Sequence, residues 1–181
     1  PAAKLRPIWE RIADSARRAP KARRGAIAEF GWAAAVGLYL QDTTDPAPLN
    51  ELSVLGGGPP PPELKALAAI EKGDSAEARR LLQEPDSAAG KQFMSRPQWW
   101  GYRQMIAAHA WAELGDDQRA LKALDVFEPS KLSTSGLDIR CLLLGQARVL
   151  RGEICARRGK NAEAKDQYKL ALAQWADPDP G

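Results

Sequence analysis

The stretch VLRGEICARRGKNAEAKDQYKLALAQW, residues 149–175, decides the fold, because its Gly159-Lys160 pair admits two incompatible meanings. A phosphate-binding loop follows the pattern G-x-x-x-x-G-K-[ST] between a strand and a helix. Here Gly152 and Gly159 stand seven apart, Asn161 follows Lys160, and a helical rather than a strand-like pattern comes before. Beyond the glycine, Ala164, Tyr168, Ala171, Leu172 and Trp175 recur at i, i+4, i+7, i+8 and i+11. That spacing lines up one face of a helix. The stretch therefore predicts a helix, a glycine turn and a second helix that packs back on the first through Ala164, Tyr168, Ala171 and Trp175.

The same scheme occurs twice more, in ELKALAAIEKGDSAEARRLL (63–82) and QMIAAHAWAELGDDQRALKALDVF (104–127). The turn glycines Gly73, Gly115 and Gly159 are spaced by 42 and 44 residues, within the range of periods that marks a helical repeat array. Each glycine is expected just past the end of its first helix, where a left-handed conformation suits it. Asp74 and Asp116 follow as N-caps or first-turn acids of the second helix, with Lys160 or Asn161 in that place in the third unit. Five positions past each glycine stands Ala78, Ala120 or Ala164, small enough for two helices to approach closely. Four further on come Leu82, Leu124 and Tyr168 as larger packing groups.

On these residues the chain resembles the tetratricopeptide-repeat family, with an ending, YKLALAQWADPDP, like the last repeat of bacterial multi-repeat proteins. The match is fullest in the last unit, at Gly152, Gly159, Ala164, Tyr168 and Ala171. The middle unit supplies Ala108, Trp111, Gly115 and Ala120, but has Phe127 where the family has alanine. The first supplies Ala66, Gly73 and Ala78 and stops at Pro85, and a degenerate unit with Ala34 centres on Gln41. The likeness spans about residues 26–178. The family repeats every 34 or so residues, so about eight to ten extra residues per unit must go into loops or longer helices. The resemblance implies an all-α fold: a TPR-like α-solenoid, a right-handed stack of antiparallel helix pairs with irregular, lengthened repeats and a closing cap helix.

Upstream of the repeats, Leu5, Ile8, Trp9, Ile12 and Ala16 form an apolar stripe that predicts a helix from Ala2 to Arg18, ended by Pro20, with another beginning near Arg23. AIAEFGWAAAVGLYL, residues 26–40, reads as a buried helix, and LNELSVL as at most a short one. GGGPPPP, residues 56–62, is a connector, since prolines bring no backbone N–H to cradle an anion. The expected organisation is an N-terminal part, 1–55, a linker, 56–62, and repeats over 63–181, forming one continuous domain. No alternating β pattern is present.

Chemistry is sparsely indicated. The chain has 181 residues, 44% hydrophobic and 27% charged, and a domain of this size buries roughly 70% of its unfolded surface without needing metals or disulfides. No apolar run reaches a membrane span of about 18 residues, so the expectation is a soluble protein, cytoplasmic by preference, or periplasmic if a signal was removed before Pro1. Cys141 and Cys155 share one helix, roughly 21 Å apart, too far to pair, and read as small buried hydrophobes. One histidine and no CxxC or HExxH pattern argue against a metal site. No nucleophile and base stand in a recognisable pattern, so neither an enzymatic activity nor a cofactor is expected.

The family frame places Tyr102, Met105, His109 and Glu113 of one unit, with Val149, Glu153 and Arg157 of the next, along a concave groove that implies a bound protein segment. Trp99 and Trp100 in RPQWWGYR form an aromatic patch suited to core packing or a protein contact. The net charge of +3 is uneven: residues 1–24 carry +6, and everything after them −3. Arg17, Arg18, Lys21, Arg23 and Arg24 make the basic patch. The expected function is a non-enzymatic protein–protein interaction scaffold, or an accessory subunit of a larger complex. The alternative is a module that binds an anionic surface or nucleic acid through the basic segment, nucleic acid being the less favoured.

Overall fold

The computed structural model describes residues 2–24, 27, 35, 47–55, 61–83, 97–132 and 140–176, and among them there are helices and turns but no strand. The chain divides into two compact units, Pro1–Gln92 and Phe93–Gly181. The first holds α1 (Ala2–Arg18), α2 (Ala47–Leu55), α3 (Pro62–Glu71) and α4 (Ser75–Gln83). The second holds α5 (Pro97–Glu113), α6 (Asp117–Leu124), two 3-10 turns (Asp125–Phe127 and Pro129–Lys131), α7 (Arg140–Arg157) and α8 (Asn161–Ala176). The helix expected over 26–40 and residues 56–60 of the connector lie outside the described residues. Pro61 and Pro62 belong to a helix start, Pro62 at the first position of α3, where a missing N–H is harmless.

Three helix pairs, α3–α4, α5–α6 and α7–α8, are joined by turns of one geometry. Gly73, Gly115 and Gly159 have φ of 77°, 72° and 72°. Each glycine N–H bonds the carbonyl three residues back, at 2.9, 3.1 and 3.0 Å. The next N–H, of Asp74, Asp116 or Lys160, reaches Ala69, Trp111 or Cys155 O at 2.9 Å in all three cases. This is the Schellman pattern, which satisfies carbonyls that a helix end leaves open. Asp74 Oδ1 then accepts from Glu77 N at 3.0 Å and Asp116 Oδ1 from Arg119 N at 3.1 Å, so one residue ends a turn and caps the following helix. Lys160 has no such acceptor and reaches Glu163 with its ammonium instead, at 2.8 Å.

In unit 2, α7 packs on α8 and also on α5, α6 and the first 3-10 turn, a solenoid-like stacking of two pairs. Ala120, Ala164 and Ala171 are buried between helices, as their size predicts, and Phe127, Leu124, Ile106 and Ile154 fill the larger spaces. Each such side chain stabilises the fold by about 1.5–3 kcal/mol through burial. At Gly152 on α7 an added Cβ would stand 2.6 Å from Tyr168 Cε1; the bare glycine lets α8 close on α7.

Several packing expectations change. Leu172 is 63% exposed, because α8 turns Ala164 and Ala171 inward and leaves Leu172 beyond that arc. In α4 the buried leucine is Leu81, with Leu82 half-buried. Ile8 is 41% exposed while Trp9, Ala13 and Ala16 are buried, so the inner stripe of α1 is narrower than expected. Cys141 is exposed and Cys155 buried; exposure follows from Cys141 lying in the first turn of α7. The helix expected to run through Phe127 gives way after Leu124 to 3-10 turns, and Glu128 adopts extended geometry ahead of Pro129, as a residue before proline prefers. Among the described residues no helix is long and apolar enough to cross a membrane.

Candidate functional site

The groove expected on unit 2 is partly closed. Tyr102 is 3% and Met105 0% exposed, His109 is half-buried, and of this set on α5 only Glu113 is exposed. The physical reason lies in α5 itself, whose residues 105–112 include no charged side chain. A largely apolar helix favours enclosure, and α5 packs against α6, α7 and the first 3-10 turn, with Gln104, His109 and Ala112 left half-buried. Burial pushes the Tyr102 phenol up to about 12 and the His109 imidazole down to about 4. Both groups are therefore neutral at physiological pH.

On α7, Val149 is half-buried and Glu153 and Arg157 are exposed. Arg157 is tied to Asp117 at the start of α6, at 2.6 Å, which joins the two helix pairs at the outer end of the wall. Trp100 is half-buried, and the side chain of Trp99 lies outside the described residues. Of the basic patch, Arg17 is held by Asp14 on its own helix and by Glu51 of α2. Arg18, Lys21, Arg23 and Arg24 are exposed.

A cleft that sequence reasoning missed opens elsewhere on unit 2. It has a volume of about 300 Å³ and lies where the 3-10 turns meet α7 and α8, at the lower end of the range for ligand pockets. Phe127, Pro129, Leu144, Ala147 and Leu170 give it an apolar lining, and Leu170 stands at its edge 46% exposed. Two arginines fix the walls. Arg151 pairs with Glu128, lies 3.8 Å from Asp125, and donates to Leu124 O at 3.1 Å. This fork holds the first 3-10 turn to α7, a task suited to the planar guanidinium. Arg148 donates to Leu170 O at 3.0 Å and to Gln174 Oε1 at 3.4 Å. Gln174 in turn donates to Cys141 O at 3.0 Å, so α7 and α8 are laced along the cleft.

An apolar lining with guanidinium groups at its side can hold an apolar side chain beside a polar backbone. Among the described residues no three His, Cys, Asp or Glu side chains gather as a metal cage. Phe127 was the available signal for the cleft, since a large ring stands where the repeat pattern has alanine, and Pro129 follows it. Comparison with family models, with curated proteins and with solved structures found no match to this chain.

Proposed function

We propose that this chain is a non-enzymatic helical-repeat module, of tetratricopeptide type with lengthened links, whose role is to bind another protein through unit 2. The repeat type is supported by the shared turn geometry at Gly73, Gly115 and Gly159 and by the buried alanine five positions past each. The contact between Gly152 and the Tyr168 ring adds to it. The intervals of 42 and 44 residues do not come from the intra-pair turns, which share one geometry; α5 and α7, with 17 and 18 residues against 10 in α3, take up part of the added length.

The observation that carries the binding role is the cleft beside α8, open, mostly apolar and edged by the exposed Leu170. Exposed apolar groups beside a shaped depression are a common basis for protein contacts. A photoreactive side chain placed at Leu170 and irradiated in native extract is expected to give a discrete protein adduct. The same group at Lys65, exposed on α3, is expected to give none. No adduct from position 170, or identical adducts from both positions, would overturn the proposal.

A further inference from the structure

The basic segment separates into cations that the fold uses and cations that it leaves unneutralised. Arg17 is used: it joins α1 to α2 through Glu51 and is also paired with Asp14. Arg11, Arg18 and Arg24 donate only to backbone carbonyls of their own segment, those of Pro7 at 3.4 Å, Asp14 at 3.2 Å and Ala19 at 3.0 Å. Lys21 and Arg23 are likewise exposed, and none of these five meets a carboxylate among the described residues. Neutral carbonyls orient a guanidinium without cancelling its charge. The fold thus presents five positive groups within residues 11–24, which calls for a partner carrying many negative charges.

The shape of the face selects among such partners. Ile8, Arg11, Ser15 and Arg18 follow at i, i+3, i+7 and i+10, so they share one side of α1, and all four are exposed. The opposite side, Trp9, Ala13 and Ala16, is buried in unit 1. Asp14 stands at the margin of the exposed side, paired to Arg17. A helix that is held by one face and shows Ile8 followed by Arg11 and Arg18 on the other suits a place on a bilayer, with the cations at the headgroups and the aliphatic group below them. A platform for single-stranded nucleic acid would more often offer aromatic side chains for stacking. The one aromatic in residues 1–24, Trp9, is turned inward.

We infer that α1 and the basic turn after it form a peripheral docking surface for anionic lipid bilayers. This surface shares no residue with the cleft on α7 and α8, and the inference does not depend on the protein-binding role. Each cation near an anionic leaflet raises binding roughly fivefold, and salt screens the attraction. The contact is reversible, and no described helix is long and apolar enough to cross the bilayer.

The test is co-sedimentation of the full chain with phosphatidylcholine vesicles, with and without phosphatidylserine, across a salt series. Binding is expected only with phosphatidylserine and is expected to weaken as salt rises. The variant R18Q/K21Q/R23Q/R24Q is expected to bind roughly a hundredfold or more less tightly, and Ile8→Ser several-fold less. A charge-matched control, K65Q/K122Q/K131Q/K165Q, alters exposed lysines elsewhere and is expected to bind far better than the patch variant. All these positions are exposed, and an unchanged helical circular dichroism spectrum verifies each variant's fold. No binding to phosphatidylserine vesicles, or equal loss in patch and control variants, overturns the inference. So does tighter binding to duplex or single-stranded nucleic acid than to vesicles, with no effect of Ile8→Ser.

Discussion

Two glycines seven residues apart on the same hairpin do opposite jobs. Gly159 is needed for its backbone: its φ is 72°, and an added Cβ would meet nothing within 4 Å. Gly159→Ala is therefore expected to lower stability by about 1 kcal/mol from the left-handed conformation alone, and Gly159→Asn by less. Gly152 is needed for its absent side chain. Alanine there gains about 1 kcal/mol of helix propensity but drives a methyl into the Tyr168 ring, and overpacking of this kind costs about 1–3 kcal/mol. Gly152→Ala is expected to destabilise on balance, with the loss reduced in a Tyr168→Leu background. A double-mutant cycle by urea denaturation measures that coupling, and additivity would refute the contact. His109 gives a third expectation at this scale. Its imidazole is held down to about 4 against an ordinary 6.5, so between these values the unfolded chain takes up a proton and the folded chain does not. Stability is thus lost as pH falls from about 6.5 to about 4, by roughly 2–3 kcal/mol in all. His109→Gln should flatten that part of the profile. As the chain has one histidine, its single NMR resonance reports directly whether protonation waits until about pH 4.

The elements show what the sequence made legible and what it did not. α1, the three pair turns and the alanines at 78, 120 and 164 could be foreseen, because each rests on a local rule: a stop at proline, a positive φ at glycine, a small residue at a close crossing. The inward placement of Tyr102 and Met105 was hidden by the repeat frame, which assigns them an open wall. The uncharged run of residues 105–112 pointed to a central helix. The cleft was not legible, because Arg148 and Arg151 find partners 22 to 27 residues away and nothing in the spacing picks those partners from other acceptors. One departure from the repeat pattern yields a prediction. Lys160 occupies the place of Asp74 and Asp116 but brings a positive charge to the start of α8, where the helix dipole disfavours it. Lys160→Asp is expected to supply the missing cap for about 1 kcal/mol. Loss of the exposed Lys160–Glu163 pair removes only a fraction of that. A raised midpoint in thermal or urea unfolding is the expected result, and a lowered one would mean that the third turn differs from the other two in a way its hydrogen bonds do not display.

At the scale of the whole molecule, charge is distributed so that the average misleads. The chain is +3 in total, yet residues 1–24 hold +6, and its isoelectric point is about 9.0. Near that pH the molecule as a whole is close to neutral, and a uniformly charged protein would lose its attraction for anionic surfaces. A patch behaves differently, since charges beyond a Debye length of about 10 Å in 0.1 M salt scarcely feel one another. Four of the five unneutralised cations in residues 11–24 are arginines, whose guanidinium groups stay protonated far above pH 9. The full chain is accordingly expected to be retained on a sulfonate exchanger at pH 9 and released by salt. R18Q/K21Q/R23Q/R24Q should pass with little delay, whereas K65Q/K122Q/K131Q/K165Q, equal to it in net charge, should still be held. Equal elution of the two variants would show that total charge governs the behaviour and that the basic segment has no separate identity as a surface.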